Sequence, residues 1–158
     1  MGDGGWPDNF DAMKAGVGCE MCDQPRGQEA NPYGVLIASG QHSDAFLERL
    51  GFRRGYTLVI HRGDRHVTEP TELSDEDSEG YWREVMAVAR AVQSVYQPLK
   101  INLMMLGNQL PHLHTHIVPR YQHDADAGGP PDFNVGAEPR DDAALQEEAA
   151  SLRRALRS

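Results

Sequence analysis

The stretch PHLHTHIVPR, residues 111–120, decides the fold and places three of the chain's seven histidines within five residues. If it is a strand, alternate side chains share a face, so His112, His114 and His116 line one side about 7 Å apart at each step. A neutral imidazole attacks phosphorus, and flanking imidazoles can donate hydrogen bonds to phosphate oxygens. The row therefore suggests phosphoryl or nucleotidyl transfer, with an adventitious metal-binding tract and a solvated polar face as the alternatives.

Outward from this stretch, the sequence predicts a small mixed domain. Two short runs, VLIAS at 35–39 and YTLVI at 56–60, have the composition of antiparallel strands, and residues 101–106 and 110–119 give two more. Residues 74–97 have helical apolar spacing after Ser74, and residues 143–156 predict a shorter terminal helix. The order predicts an α+β fold with an antiparallel sheet of about five strands and one long helix.

The long predicted helix is apolar beyond a single stripe. Tyr81, Val88 and Val95 lie beside the stripe that one sheet would need to cover. A symmetric pairing of two chains would bury the same patch on both. The pattern therefore predicts a homodimer, with the strand at 101–106 as the neighbouring part of the interface.

Composition excludes several classes of function. The 158 residues suit one domain, and a net charge of −9 argues against a nucleic acid polymer as partner, because phosphate-backbone binding depends on clustered Lys and Arg. No apolar run approaches the roughly 20 residues needed to cross a bilayer, and the first residues do not resemble a signal peptide. We expect a cytoplasmic protein that does not bind membranes.

Cys19 and Cys22 are the only cysteines. They are too few and too close together for the disulfide framework of a small secreted domain. Two cysteines alone cannot complete a tetrahedral zinc site, so a metal site, a redox dithiol and two inert thiols all stay open on this evidence.

The histidine pattern, alternating with mostly apolar residues, resembles that of the HIT (histidine triad) family. It lies within KINLMMLGNQLPHLHTHIVPRY, which is similar to the bacterial branch resembling diadenosine tetraphosphate hydrolases. The likeness extends upstream through GYTLVIHRGDRHVTEPTELSDED to the CEMC stretch at 19–22, and so covers roughly residues 19–121. Thr115 and the pair His61-Arg62 depart from the family pattern.

The resemblance implies roles for the three histidines and for nearby polar residues. His114 would be the nucleophile, His116 would contact the α-phosphate, and the backbone carbonyl of His112 would orient the catalytic ring. Asn108 would reach the phosphate through its amide. Three further candidates for contact with phosphate, ribose or nucleotide are Gln109, Asn102 and Asp44.

The resemblance also implies a metal site. In the zinc-containing branch of the family the upstream histidine and the first triad histidine complete the cysteine pair, which gives Cys19, Cys22, His66 and His112 here. The zinc would be structural, and no organic cofactor is expected. The implied organisation is a flexible arm at 1–16, a HIT domain at 17–124 and a C-terminal extension with a short helix at 125–158.

The implied activity is that of a nucleotide hydrolase. It would act on the α-phosphate of dinucleoside polyphosphates or nucleoside phosphoramidates through a covalent nucleotidyl-histidine. A nucleotidyl transferase or phosphorylase of the same family is the alternative reaction. A non-catalytic nucleotide-binding sensor is the alternative of another class.

Overall fold

The computed structural model describes residues 5–51, 53–135 and 139–158. Its six strands form a single antiparallel sheet in the order β1-β2-β3-β4-β6-β5. The strands are β1 (Ala30–Asn31), β2 (Gly34–Ser39), β3 (Ser43–Glu48), β4 (Thr57–His61), β5 (Lys100–Met104) and β6 (His114–Arg120). The helices are α1 (Phe10–Lys14), α2 (Glu20–Asp23), α3 (Asp75–Tyr96) and α4 (Asp142–Arg157). The predicted α+β fold is confirmed.

Strand β3 was not expected, because its first residues are polar and follow a Gly-containing turn. The structure compensates these polar groups individually. The Glu84 carboxylate of α3 accepts hydrogen bonds from the His42 backbone N–H at 3.0 Å and from the Ser43 hydroxyl at 2.6 Å. Asp44 is fully buried and accepts a 2.6 Å hydrogen bond from the Ser39 hydroxyl. Because such partners compensate its buried polar residues, this strand does not show up in an analysis based on hydrophobic pattern.

Strand β6 begins at His114, so the expectation that all three histidines line one strand face is wrong. The backbone N–H of His112 donates to Leu110 at 2.8 Å, and that of Leu113 donates to Val67 at 2.7 Å. The segment before Leu113 therefore stays outside the ladder; the Leu113 carbonyl accepts from the His61 N–H of β4 at 2.9 Å, and strand pairing begins at His114 and Ile60. His114 and His116 share the strand face, whereas His112 lies before it.

The second apolar side of α3 is covered by the chain itself. Val88 and Val92 of α3 lie in one buried cluster with Leu145, Ala149 and Leu152 of α4. Tyr81 is also buried, and its hydroxyl contacts Thr115 of the sheet at 2.8 Å. The expectation that α3 carries an uncovered apolar face is therefore wrong, since α4 covers it.

Helix α4 also contacts β2 at an irregularity of the strand. The register between β2 and β3 shifts between Leu36 and Ala38, which marks a β-bulge. The Arg153 side chain donates to the Leu36 carbonyl from Nε at 3.0 Å and from Nη2 at 2.6 Å. A residue of the last helix thus binds a strand carbonyl 117 positions away in sequence.

The chain on either side of the sheet is ordered by local contacts. The predicted arm contains α1, whose Met13 is buried, and residues 1–4 lie outside the described residues, as do 136–138 of the predicted extension. After β6 the chain makes turns whose Asp124 and Asp126 pair with Arg53 and Arg120. No helix in the described ranges is long and apolar enough to cross a membrane.

Candidate active site and metal cluster

His114 is the first residue of β6, and one of its two ring nitrogens is hydrogen-bonded to the backbone. Its Nδ1 is 2.5 Å from the backbone carbonyl oxygen of His112, and because a carbonyl only accepts, Nδ1 carries the proton. Within the described part of the chain, Nε2 has no hydrogen-bond partner. Burial lowers the pKa of His114, which keeps the ring neutral. A neutral ring protonated on Nδ1 has its lone pair on Nε2, the arrangement of a nucleophile.

His116 lies two residues further along the same face, with its ring centroid 4.8 Å from that of His114. Its Nδ1 is 2.6 Å from the hydroxyl oxygen of Tyr56, the residue before β4. The ring planes of this pair are within 10° of each other. Burial lowers the pKa of His116 to about 3, with His114 as the lesser cause, so this ring is also neutral.

The two histidines line a cavity of about 510 Å³. Most of its wall is apolar or aromatic, from Met21, Tyr33, Tyr56, Leu58, Leu106, Leu110 and Phe133. The predicted substrate-binding residues Asn108 and Gln109 also line it, because the turn after Gly107 carries them over the histidines. Gly107 has φ +69°, a left-handed conformation that glycine adopts without strain.

Glu48, at the end of β3, is an acidic residue in the same cavity. Burial raises the pKa of its carboxyl to about 7, although the backbone N–H groups of Leu50 and Arg49 oppose the shift. A carboxyl with this pKa is present in both protonation states near neutrality. It can therefore both accept and donate hydrogen bonds on the cavity wall.

Two sequence candidates lie away from this cavity. The Oδ1 atom of Asn102 accepts a 2.8 Å hydrogen bond from Arg120, and Asn102 lines a separate cleft beside that arginine. Asp44 pairs with Arg62, at 3.3 Å from its Nε, and accepts from the Gly27 backbone at 2.8 Å. The structure brings neither side chain to the pair of histidines, because each is committed to a buried arginine.

Cys19, Cys22, His66 and His112 form a cluster beside the cavity. Their four candidate ligand atoms all lie within 4.8 Å of one another. The Nδ1 of His112 is 3.4 Å from each sulfur, and the Nδ1 of His66 is 3.2 Å from that of Cys22. A tetrahedral zinc site with Zn–S near 2.3 Å and Zn–N near 2.1 Å has S···N edges of about 3.6 Å. The cluster therefore fits the size of a zinc site.

The protonation states in the cluster also fit a divalent cation. Burial, together with Cys19 beside it, raises the pKa of Cys22 to about 11, so the Cys22 thiol does not ionise near neutral pH without a neighbouring positive charge. Burial lowers the pKa of His112 to about 4, which leaves a neutral imidazole. Its Nε2 is 2.9 Å from the His61 carbonyl oxygen, so that nitrogen is the donor and Nδ1 carries the lone pair.

Among the cavity residues that sequence reasoning missed are Glu48, Tyr56 and Phe133. Phe133 packs against His116 with ring centroids 5.3 Å apart and against Tyr56 at 5.9 Å. Tyr56 carried a partial signal, since it directly precedes β4, the strand that pairs with β6. Phe133 carried none, because it follows a Gly- and Pro-rich segment that predicts only irregular structure.

Comparisons with known proteins agree with this geometry. A model of the HIT domain family matches residues 30–123. "Protein hit" of Bacillus subtilis (strain 168) is 33% identical over 90 residues, which span 54% of this chain and 61% of that protein. The match therefore covers less than two thirds of that relative.

Solved structures show the same fold. A histidine triad protein from Bradyrhizobium japonicum superposes with a TM-score of 0.72 at 23% identity, covering 78% of this chain and 91% of that one. A Zn-bound histidine triad family protein from Mycobacterium smegmatis has a TM-score of 0.58 at 23% identity, with 94% and 91% of the two chains covered. The family model matches more than half of this chain, so the chain belongs to the HIT domain family.

Proposed function

We propose that this protein is a nucleotide hydrolase that acts at an α-phosphate through a covalent nucleotidyl-histidine. The observation that carries the proposal is the bond from His114 Nδ1 to the His112 carbonyl, which leaves the Nε2 lone pair for attack. Asn108 and Gln109 line the same cavity and supply amide N–H groups suited to phosphate oxygens. Membership of a family of nucleotide hydrolases and transferases supports this assignment.

The reaction balances in two steps. His114 Nε2 forms a bond to the α-phosphorus while the bond from phosphorus to the leaving group breaks, and the leaving group departs with that electron pair and gains a proton. Water then attacks the phosphorus, Nε2 recovers its electron pair, and the water's proton passes to solvent or to a neighbouring base. The products are a nucleoside monophosphate and the protonated leaving group, and the histidine is regenerated.

The rest of the cavity suits a nucleoside. Apolar and aromatic walls can enclose a base, and the Glu48 carboxyl can bind sugar hydroxyls. We therefore propose dinucleoside polyphosphates or nucleoside phosphoramidates as the substrate class. The base preference is not part of the proposal, because the wall offers shape rather than a defined set of hydrogen-bonding groups.

We further propose that Cys19, Cys22, His66 and His112 hold a structural zinc ion. The bound metal would supply a fixed positive charge that keeps both thiols ionised and joins α2 to the segment before β6. Elemental analysis of the purified protein should give close to one zinc per chain. Two reduced thiols on zinc suit the cytoplasm, where we place the protein.

We retain a homodimer as a proposal, now based on β5 and on the family resemblance. Strand β5 is an edge of the sheet, and Leu103 on it is 39% exposed. Leu103→Asp should shift the protein from dimer to monomer in light scattering, whereas Leu50→Asp, at an exposed leucine outside β5, should not. Val88→Asp is unsuitable as a test, because Val88 lies in the chain's own core and the substitution should unfold it. A wild-type monomer at micromolar concentration would contradict the proposal.

The reaction is tested with a panel of dinucleoside polyphosphates and adenosine phosphoramidate, with and without inorganic phosphate. A hydrolase should release nucleoside monophosphate equally in both conditions, and acid quenching should trap labelled nucleotide on the protein. Phosphate-dependent formation of nucleoside diphosphate would identify a phosphorylase instead. Tight binding of nucleotide with no turnover would identify a sensor.

A further inference from the structure

The two histidines of the cavity are held in the same way by different partners. His114 Nδ1 bonds to a backbone carbonyl, and His116 Nδ1 bonds to the Tyr56 hydroxyl. A carbonyl oxygen can only accept, whereas a phenol can donate its proton. The two rings can therefore be fixed in opposite tautomers although they lie on one strand face.

We propose that Tyr56 is a positioning residue that donates its proton to His116 Nδ1 and thereby places the His116 proton on Nε2. His116 then presents an N–H donor to phosphate oxygens or to the departing group, beside the bare Nε2 of His114. This role rests on the proposed function and deepens it, because it assigns the donor of the site.

The direction of the Tyr56 bond follows from the chemistry of the two groups. A phenol O–H is a strong donor and a weak acceptor, and a neutral imidazole nitrogen is a good acceptor. Burial raises the pKa of Tyr56, so the hydroxyl keeps its proton, and the pKa of His116 near 3 keeps the imidazole neutral. With one proton on each group, the bond runs from the Tyr56 oxygen to Nδ1. In the reverse arrangement two bare Nε2 atoms would face a negatively charged phosphate.

Phe133 completes the surroundings of this pair. Its ring contacts both His116 and Tyr56, and it reaches them from the turns after β6, outside the residues matched by the family model. Those turns are fixed by the ion pairs of Asp124 and Asp126 with Arg53 and Arg120. An aromatic ring over the bond limits competing hydrogen bonds from water, so the chain's own extension protects the tautomer.

The direct test is ¹⁵N NMR of histidine-labelled protein, because bare and protonated ring nitrogens have distinct shifts. The His116 signals are assigned from their absence in His116→Asn. Wild-type His116 should show the proton on Nε2, and His114 should show it on Nδ1. In Tyr56→Phe the His116 signals should move toward a mixture of tautomers. A wild-type His116 protonated on Nδ1 would overturn the proposal, and this measurement needs no variant at Tyr56 to fold.

Kinetics provide the second readout, with Tyr81→Phe as the matched control. Tyr81 is also buried and bonds to β6, but at Thr115 on the opposite face. Tyr56→Phe should lower kcat about tenfold with a change in KM of less than about threefold, as expected for one hydrogen bond that acts on the barrier. Tyr81→Phe should leave kcat and the His116 signals unchanged while it lowers the melting temperature. An unchanged kcat in folded Tyr56→Phe would contradict the role.

The two readouts separate this inference from the proposed function. If no nucleotide is turned over, the proposed function fails, while the tautomer of His116 is still decided by NMR. If nucleotides are hydrolysed but Tyr56→Phe behaves like Tyr81→Phe, the role of Tyr56 fails alone.

Discussion

His112 and His114 are two residues apart, and their imidazoles are used in opposite ways. Both ring nitrogens of His112 are committed, Nδ1 toward two thiols at 3.4 Å and Nε2 to the His61 carbonyl at 2.9 Å. His114 commits only Nδ1, at 2.5 Å, and the acceptor is the carbonyl of His112 itself. One ring is suited to anchoring and the other to attack.

The difference shows that the number of committed nitrogens, rather than residue type, decides what a histidine can do. It also links the two sites mechanically. The side chain of His112 belongs to the cluster of Cys19, Cys22, His66 and His112, and its backbone carbonyl accepts a hydrogen bond from His114, so a displacement of the cluster should also move the His114 ring.

The largest effect is expected when His114 Nε2, the ring nitrogen without a hydrogen-bond partner among the described residues, is removed. His114→Asn should lower kcat at least about a thousandfold, because no covalent intermediate can form, while the fold and nucleotide binding are kept. Steady-state kinetics and nucleotide titration measure the two properties separately. His123→Asn, at an exposed histidine outside the site, is the control and should behave as wild type. Comparable activity in the two variants would remove the proposed distinction between His112 and His114.

A smaller effect is expected when the cluster that holds the His112 side chain is disrupted. Cys19→Ser with Cys22→Ser should lose the zinc and lower the melting temperature by about 10 °C, since a structural metal adds its binding free energy to folding. It should also lower kcat about tenfold through the displaced His112 carbonyl. Calorimetry and elemental analysis measure the outcome, and chelation followed by zinc reloading of the wild type is the control. Metal-free wild-type protein with unchanged stability would indicate inert thiols.

The smallest effect concerns pH. The folded pKa of His116 is about 3, below the ordinary value of 6.5, so between these values the unfolded chain binds a proton that the folded chain does not. Stability from this group is therefore complete above pH 6.5 and is lost as pH falls toward 3. Urea unfolding at pH 7, 6 and 5 should show a falling midpoint, with a shallower dependence in His116→Asn by up to one proton per chain. Equal slopes in the two proteins would contradict the buried, neutral state of His116.

The sequence was sufficient to predict the elements that carry a strong local pattern. Residues 74–97 and 143–156 form helices as expected, and the histidine stretch does lead into a strand. The four residues of the metal cluster are brought together, as are His114, His116, Asn108 and Gln109. The helices and the strand follow from spacing, whereas both groups of site residues follow from the family resemblance, which for the cluster joins residues up to 93 positions apart.

The rest depends on contacts between distant segments. The start of β6 at His114 is set by backbone bonds to Leu110 and Val67, which no periodicity reveals. Asn102 has a side chain that could bind phosphate, but it lies outside the cavity, and its amide oxygen accepts a hydrogen bond from Arg120. Tyr56 and Phe133 lie far apart along the chain, and the fold brings both rings into contact with His116. The cover that α4 provides for α3 was taken for a subunit interface, because sequence patterning shows that a face is apolar without showing what packs on it.

The packing of α4 has a consequence for how this chain folds as it is synthesised. Arg153 bonds to Leu36 across 117 positions, and Leu145, Ala149 and Leu152 are fully buried against elements made earlier. During synthesis β2, β3 and α3 are made well before these residues. Until α4 is made, the apolar side chains that it covers stay exposed to solvent. Such contacts raise the relative contact order, which slows folding. A chain that ends before residue 142 should therefore leave part of its apolar core open and be a good substrate for chaperones, even though it contains the whole of β6.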